Sequence, residues 1–255
     1  MSYPYFFIEP ANINSGEIII DGDNHNHLTR VLRAKSEDII ELSDNKNYRY
    51  ITKIIKINKK NTFLEIIERK EIASENIIIT LFQCMLKRTS MELVVQKSAE
   101  LGINGIFPVK SRRVIIEDRS AGDKTKRWRK IAEEASKQCK RDFILNINER
   151  ISLTDIKPSD FDATYLSYEE LDKSSMKDIN IIDDLKELIK KRSDSLQTLK
   201  IGFVTGPEGG FEEDEVKDLI SKGAKPISLG SNILKAETAS VFLASIIKYT
   251  ASVFF

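Results

Sequence analysis

The chain of 255 residues contains two cysteines and two histidines. Cys84 and Cys139 lie far apart and could form one bridge at most, which excludes a disulfide framework. His25 and His27 sit far from either cysteine, which argues against a Cys/His zinc site, and no metal is expected. A long apolar run is missing as well. The most apolar stretch, Ala239 to Phe255, contains Lys248 and several hydroxyl residues and falls short of a membrane span. Met1 to Pro10 has no basic leader and no small-residue cleavage site, so a cytosolic chain with reduced thiols and no membrane partner is expected. An excess of one charge is also lacking, since 40 Lys and Arg face 39 Asp and Glu. What is present is ordinary for a folded chain of one or two domains: 41% hydrophobic and 31% charged residues.

Residues 1 to about 72 read as β-rich. Glu17–Ile20, Asp38–Ser43, Tyr48–Ile57 and Thr62–Glu68 are rich in Ile, Tyr and Thr, with polar turns between them and one helix-like insert at His27–Arg33. A small β-barrel is expected. After a polar break at 73–76 the rhythm changes. Strand-like runs at Ile77–Phe82, Ile106–Val109, Ala163–Leu166, Ile201–Thr205 and Pro226–Leu229 alternate with helical patterns at Ser90–Leu101, Thr125–Lys140, Ile181–Arg192, Glu212–Lys222 and Glu237–Thr250. That alternation predicts an α/β domain with a largely parallel sheet. The division is placed at 1–74 and 75–255.

Near-neutrality is an average. Residues 1–72 carry 11 basic and 11 acidic side chains, whereas 86–141 carry 15 basic and 7 acidic, a block of +8. Residues 142–255 carry 14 basic and 20 acidic. The +8 block fits a phosphate-binding footprint, and equally a solvated helical face.

Glycine is scarce, yet six of the eleven fall between Gly202 and Gly230. Ile201-Gly-Phe-Val-Thr-Gly-Pro-Glu-Gly-Gly-Phe211 is a strand running into a tight turn and then a helix start. Ile227-Ser-Leu-Gly-Ser-Asn-Ile-Leu-Lys-Ala-Glu-Thr-Ala-Ser240 repeats the plan. Two such loops can meet at the carboxyl edge of a sheet, where α/β folds bind ligands, or can be plain tight connections. Neither G-x-G-x-x-G nor G-x-x-x-x-G-K-[ST] occurs. The acids Glu212 to Glu215 at the helix start would repel a polyphosphate; a ligand with a cationic centre and an adenosine moiety would tolerate them better.

Taken together, Thr205-Gly206-Pro207-Glu208-Gly209-Gly210-Phe211 and Leu229-Gly230 through Ile233-Leu234-Lys235 to Glu237-Thr238-Ala239 closely resemble the knotted SPOUT methyltransferases, and most of all the bacterial 16S rRNA uracil-N3 methyltransferase family. His27-Leu28, Arg30-Val31-Leu32-Arg33, Gln96-Lys97, Glu100-Leu101-Gly102, Arg113, Trp128, Glu134-Ala135, Gln138-Cys139 and Arg141 extend the similarity over nearly the whole chain, in order. The resemblance implies a PUA-like RNA-binding barrel followed by a SPOUT domain with a deep trefoil knot, a topology physical rules alone would not propose. It further implies S-adenosylmethionine bound in the knot, a homodimer, and a uracil of small-subunit ribosomal RNA as substrate.

Residue by residue, the resemblance places the cofactor against Thr205, Gly206, Pro207, Glu208, Gly209 and Gly210, against Leu229, Gly230, Ile233, Leu234, Glu237, Thr238 and Ala239, and beside Leu166 and Tyr168. Arg30, Arg33, Lys87, Arg88, Arg113, Lys137, Lys140 and Arg141 are the candidates for RNA binding. The family pattern has arginines where this chain has Asn232 and Lys235; Lys keeps the charge without the planar fork, and Asn loses both. Methylating uracil N3 requires alignment with the methyl donor and stabilisation of charge on O2 and O4, not a covalent nucleophile. Lys235 is the candidate for that stabilisation and Asn232 for a hydrogen bond to a carbonyl. The same two positions prompt the alternative of a non-catalytic assembly factor, and a different RNA target is a third possibility.

Overall fold

A computed structural model describes residues 3–14, 16–113, 121–168, 179–193 and 197–254. They divide into two compact units, Met1–Ser74 with Ser136–Ile144, and Glu75–Ala135 with Leu145–Phe255.

The first unit is a six-stranded sheet of β1 (Tyr5–Phe7), β2 (Ile13–Asn14), β3 (Glu17–Asp21), β4 (Ile39–Ser43), β5 (Tyr48–Ile57) and β6 (Asn61–Glu71), ordered β1-β4-β5-β6-β3-β2. Alternation dictates which side chains enter the core: Ile18 and Ile20 of β3 face Leu64 and Thr62 of β6, with Ile40, Leu42 and Ile54 beside them. Register shifts in β5 between Ile51 and Thr52 and between Ile54 and Lys56 bend the sheet, so the expected barrel is a half-barrel. β1 escapes the alternation pattern because all three of its side chains are buried; it pairs parallel with β4. The expected helical insert is a short helix α1 (Gly22–Asn26) followed by a π-helical turn, His27–Val31. Segment 136–144 is tied to this sheet. The Tyr5 hydroxyl donates to the Arg141 carbonyl at 2.5 Å, Ser43 donates to the Asp142 carbonyl at 2.7 Å, and Lys140 meets Glu41 at 3.0 Å. Burial pushes the Tyr5 phenol up to about 12.

The second unit is built on β7 (Ile77–Cys84), α2 (Arg88–Glu100), β8 (Gly105–Lys110), α3 (Ala121–Gln138), β9 (Asn146–Ile147), β10 (Ile151–Ser152), β11 (Ala163–Ser167), α4 (Ile181–Ser193), β12 (Leu199–Thr205), α5 (Glu213–Ser221), β13 (Lys225–Ile227) and α6 (Ala236–Phe254). All pairings in its seven-stranded sheet are parallel, in the order β10-β8-β7-β12-β11-β13 with β9 on β8. Both faces are covered, as a parallel sheet requires. Ile79, Leu81, Tyr165, Ile201 and Phe203 join the core that includes residues of α2, α4 and α6, while Phe82, Leu166 and Val204 join the one that includes Val216 and Leu219 of α5. α3 ends two residues before the expected Lys140. Lys140 takes a left-handed φ of 56°, Arg141 N–H bonds to the Ser136 carbonyl, and Lys140 N–H bonds to that of Lys137, a glycine-type helix stop made with lysine. α6 outruns the expected Thr250 because its buried stripe of Leu243, Ala244, Ile247 and Ala251 continues past it.

The sheet order puts β7 and β12 side by side at a point where their connections diverge. The chain leaving β7 passes through α2 to β8, and the chain leaving β12 passes through α5 to β13, on the far side of β11. A crevice at the carboxyl ends of these two strands follows from that divergence. Ile201→Ala, in the middle of β12 and fully buried, should lower unfolding free energy by about 2–5 kcal/mol, measured by urea denaturation.

Candidate active site

Beneath the crevice lies a buried polar node. The carboxyl-end residues Gln83 of β7 and Thr205 of β12 are register partners on the α6 side of the sheet. Gln83 Oε1 accepts from the Ser240 hydroxyl at 2.5 Å and from Thr205 Oγ1 at 2.9 Å, and the two hydroxyls lie 2.9 Å apart. Ser240 also sits 2.9 Å from the Ala236 carbonyl, and Gln83 Nε2 donates to the Cys84 carbonyl at 3.0 Å. None of the three side chains is more than 1% exposed. Paired among themselves, these polar atoms avoid the penalty of unsatisfied burial and fix the start of α6 over the strand ends.

Above the node is a cavity of about 470 Å³. Its walls come from the loop after β12 (Gly206, Pro207, Glu208, Gly210, Phe211), the segment entering α6 (Ile233, Leu234, Lys235, Ala236, Glu237, Ala239), Ser167 at the end of β11, and Lys87 and Ser90 at the start of α2. The β12 loop is tight. Gly210 N–H bonds to the Pro207 carbonyl at 3.0 Å with Gly210 at φ +72°, and a Cβ on Gly206 would stand 3.0 Å from the buried Phe211 ring. Glu208 accepts the Lys87 backbone N–H at 2.9 Å, holding the two loops together.

The loop is also clamped from outside. Arg113 grips Glu212 through two bonds of 2.8 and 3.1 Å and donates to the Gly209 carbonyl at 3.1 Å. Arg112 pairs with Asp214, and its backbone N–H reaches Glu215 at 2.8 Å. Hydrogen bonding from Arg113 and Arg112 holds the Glu212 and Asp214 carboxyls below their usual range. Glu215 closes a capping box with Glu212, and Glu213 pairs with Lys217 at 2.5 Å. The four acids expected to repel a polyphosphate at the helix start are thus engaged by neighbouring groups. Each has a partner, none is among the lining residues, and the carboxylates that line the cavity are Glu208 and Glu237.

An RNA methyltransferase domain matches residues 73–248, and an RNA methyltransferase PUA domain matches residues 20–67. The chain is 31% identical over 245 residues to a ribosomal RNA small subunit methyltransferase E from Buchnera aphidicola, covering 93% of this chain and 90% of that one. This chain belongs to the ribosomal RNA small subunit methyltransferase E family. Solved relatives share the fold throughout. The Neisseria gonorrhoeae ribosomal RNA small subunit methyltransferase E bound to S-adenosyl methionine superposes with a TM-score of 0.77 at 26% identity, covering 97% of this chain and 98% of that one. A methyltransferase from Legionella pneumophila in complex with the cofactor SAM gives 0.78 at 25% identity over 98% of each chain.

Of the cofactor residues that the family resemblance selected, Gly206, Pro207, Glu208, Gly210, Ile233, Leu234, Glu237 and Ala239 line the cavity together with Lys235. Thr205 belongs to the node below, Leu166 is packed in the α5-side core, and Gly209 stands against Arg113. Tyr168, Leu229, Gly230, Asn232 and Thr238 lie outside the lining, the last three of them exposed. Ser90, Ser167, Phe211 and Ala236 also line it without having been selected; Ser167 and Ser90 carry no motif, being simply the residues that end a strand and begin a helix. Among the RNA candidates, Lys87 faces the cavity, Arg113 clamps the loop, Arg88 pairs with Glu92 at 3.0 Å, Lys140 pairs with Glu41, and Lys137 donates to Asn24 at 3.1 Å. Arg30 and Arg33 are exposed and Arg141 is half-buried. Burial pushes the Cys84 thiol up to about 12, and His25 is buried with its ring 2.9 Å from the Thr62 hydroxyl. Among the described residues no cluster could hold a metal ion, and no helix is long and apolar enough to cross a membrane.

Gln83→Leu should strand the hydroxyls of Thr205 and Ser240 and cost about 1–3 kcal/mol, seen in denaturant unfolding together with weakened ligand binding in the cavity. The clamp should also respond to acid. Because the carboxyl pKa values of Glu212 and Asp214 are depressed in the folded chain, their stabilisation is full above the unfolded carboxylate range of about 4 and is lost as pH falls through the folded values. Hydrogen exchange of the Gly206–Phe211 amides should therefore show protection at neutral pH that disappears in acid, and should show little protection at either pH in Arg113→Ala.

Proposed function

We propose that this chain is an S-adenosylmethionine-dependent methyltransferase that forms 3-methyluridine in 16S ribosomal RNA of the small subunit. The observation that carries the reading is the cavity at the strand-order divergence, lined by both glycine-containing loops and by Lys235. Its volume suits a nucleoside-sized ligand. Glu208 and Glu237 suit a sulfonium cation, and the backbone of the Gly206–Phe211 loop suits an adenine edge. When bound, S-adenosylmethionine supplies an electrophilic methyl group. Lys235, in the lining, stabilises negative charge on the uracil oxygens as N3 gives up its proton to solvent. Asn232 is exposed in the same segment and donates to a carbonyl of the incoming base.

Residues 1–74 serve as the PUA-like RNA-binding domain and 75–255 as the SPOUT methyltransferase domain. Insertion of β12 between β7 and the earlier β11 supports the family's trefoil knot. A homodimer is supported by α6, whose side opposite its buried stripe exposes Phe242, Tyr249 and Val253 at helical spacing.

The deciding experiment incubates the protein with small ribosomal subunits lacking the modification and identifies nucleosides by mass spectrometry. 3-Methyluridine is expected; cofactor binding without product favours the assembly-factor reading, and another methylated nucleoside a different target. Lys235→Ala should slow single-turnover methylation about 10²-fold at unchanged RNA affinity. Affinity for ribosomal RNA should fall steeply with salt, each phosphate held contributing roughly 0.7–0.9 to the log–log slope, and a slope near zero refutes the RNA assignment. Phe242→Glu with Tyr249→Glu should convert dimer to monomer in sedimentation.

A further inference from the structure

The first unit carries an exposed tip with an unusual composition. Arg30, Val31, Leu32 and Arg33 are consecutive and all exposed, Val31 at 68% and Leu32 at 44%. Two adjacent apolar side chains left in water between two guanidinium groups are not explained by folding, since a buried Leu28 already anchors the turn to the core.

The backbone there is built, not loose. His27–Val31 is a π-helical turn in which Leu32 N–H bonds to the His27 carbonyl at 3.0 Å, and Ala34 N–H bonds to that of Leu28 at 3.1 Å. Thr29 Oγ1 donates to the His25 carbonyl at 2.8 Å, His25 meets Thr62 at 2.9 Å, and the His27 ring packs edge-on against Phe6. Arg33 closes the turn at φ +54°, a left-handed conformation that a non-glycine residue adopts at a cost. π turns and left-handed non-glycine residues recur where local geometry serves a site.

We propose that Val31 and Leu32 form an apolar wedge that inserts against an unstacked base of the RNA while Arg30 and Arg33 hold the flanking phosphates. Charge selects the occupant, because an apolar pair flanked by two cations complements the alternation of base and phosphate along a nucleic-acid strand. A tip of four residues is far too small for a protein interface, which needs roughly 800 Å² on each partner. The inference rests on the RNA-modifying reading above and deepens it: part of the work of opening the RNA is assigned to the first unit, whereas the cavity that holds Lys235 belongs to the second.

The test compares the wild type with Val31→Ser/Leu32→Ser and with Arg30→Gln/Arg33→Gln, on small ribosomal subunits lacking the modification. Three quantities are read: the dimethyl sulfate reactivity of the rRNA bases, the salt dependence of binding, and methylation. The wild type should raise the reactivity of one or a few bases. The Val31/Leu32 variant should lose that enhancement and at least tenfold in methylation while keeping the wild-type salt slope. The arginine variant should reduce the slope by roughly 0.7–0.9 for each phosphate that is no longer neutralised. Unchanged base reactivity and methylation in the Val31/Leu32 variant overturn the wedge, as does a shift in oligomeric state, which would mark the tip as an interface between copies. If the wild type binds and opens the RNA but transfers no methyl group, the enzymatic reading fails and the wedge stands. Absence of RNA binding by the wild type overturns both.

Discussion

The three-way hydrogen bonding among Gln83, Thr205 and Ser240 is the point on which the second unit's chemistry depends. It joins the ends of two adjacent parallel strands to the first turns of α6, and it does so with polar atoms that have no access to water. Because each atom is satisfied by the others, the arrangement tolerates little displacement. The loops that leave these positions, Gly206 to Phe211 and the segment preceding Ala236, are therefore anchored at their roots. A cavity made of loops needs such anchoring, since loop backbone has few ladder bonds of its own to hold it in place.

Ion pairs supply the second level of support. The basic block at 86–141 looks in sequence like charge waiting for a phosphate, but much of it is internally committed. Arg112 and Arg113 neutralise the start of α5, Arg127 and Arg88 share Glu92, Arg129 meets Glu149, and Lys140 meets Glu41. Most of these pairs are exposed, where each contributes little to global stability. Their role is positional. Arg113 in particular holds the outside of the glycine loop whose inside lines the cavity, which couples a residue of the basic block to the site rather than to solvent.

Much of the architecture was legible in one dimension. Runs rich in Ile, Tyr and Thr located the longer strands of the first unit, near-continuous apolar runs those of the second, whose sheet is buried on both faces, and 3.6-residue patterns located α2, α4 and α6. Elements without a pattern were not legible. Tyr5–Phe7 is too short and wholly buried, Asn146–Ile147 and Ile151–Ser152 have two residues each, and the helix-like insert expected at His27–Arg33 gave no sign of its π geometry. Site residues divided in the same way. Glycines at Gly206 and Gly210 announce a backbone that other residues resist, whereas Ser90 and Ser167 look like any serine and become lining residues only through the ends of the elements that carry them.

The sequence by itself determined the parallel α/β character of the second unit, the concentration of special backbone after Ile201, and the family to which those loops point. These follow from local spacing, which sequence records. Only the tertiary structure decided that β12 lies beside β7, that Gln83 thereby meets Ser240 from 157 positions away, and that four acids at the start of α5 are paired rather than bare. Strand order and ion pairing depend on contacts between segments distant in the chain, and no local pattern of residues encodes which neighbours they will find.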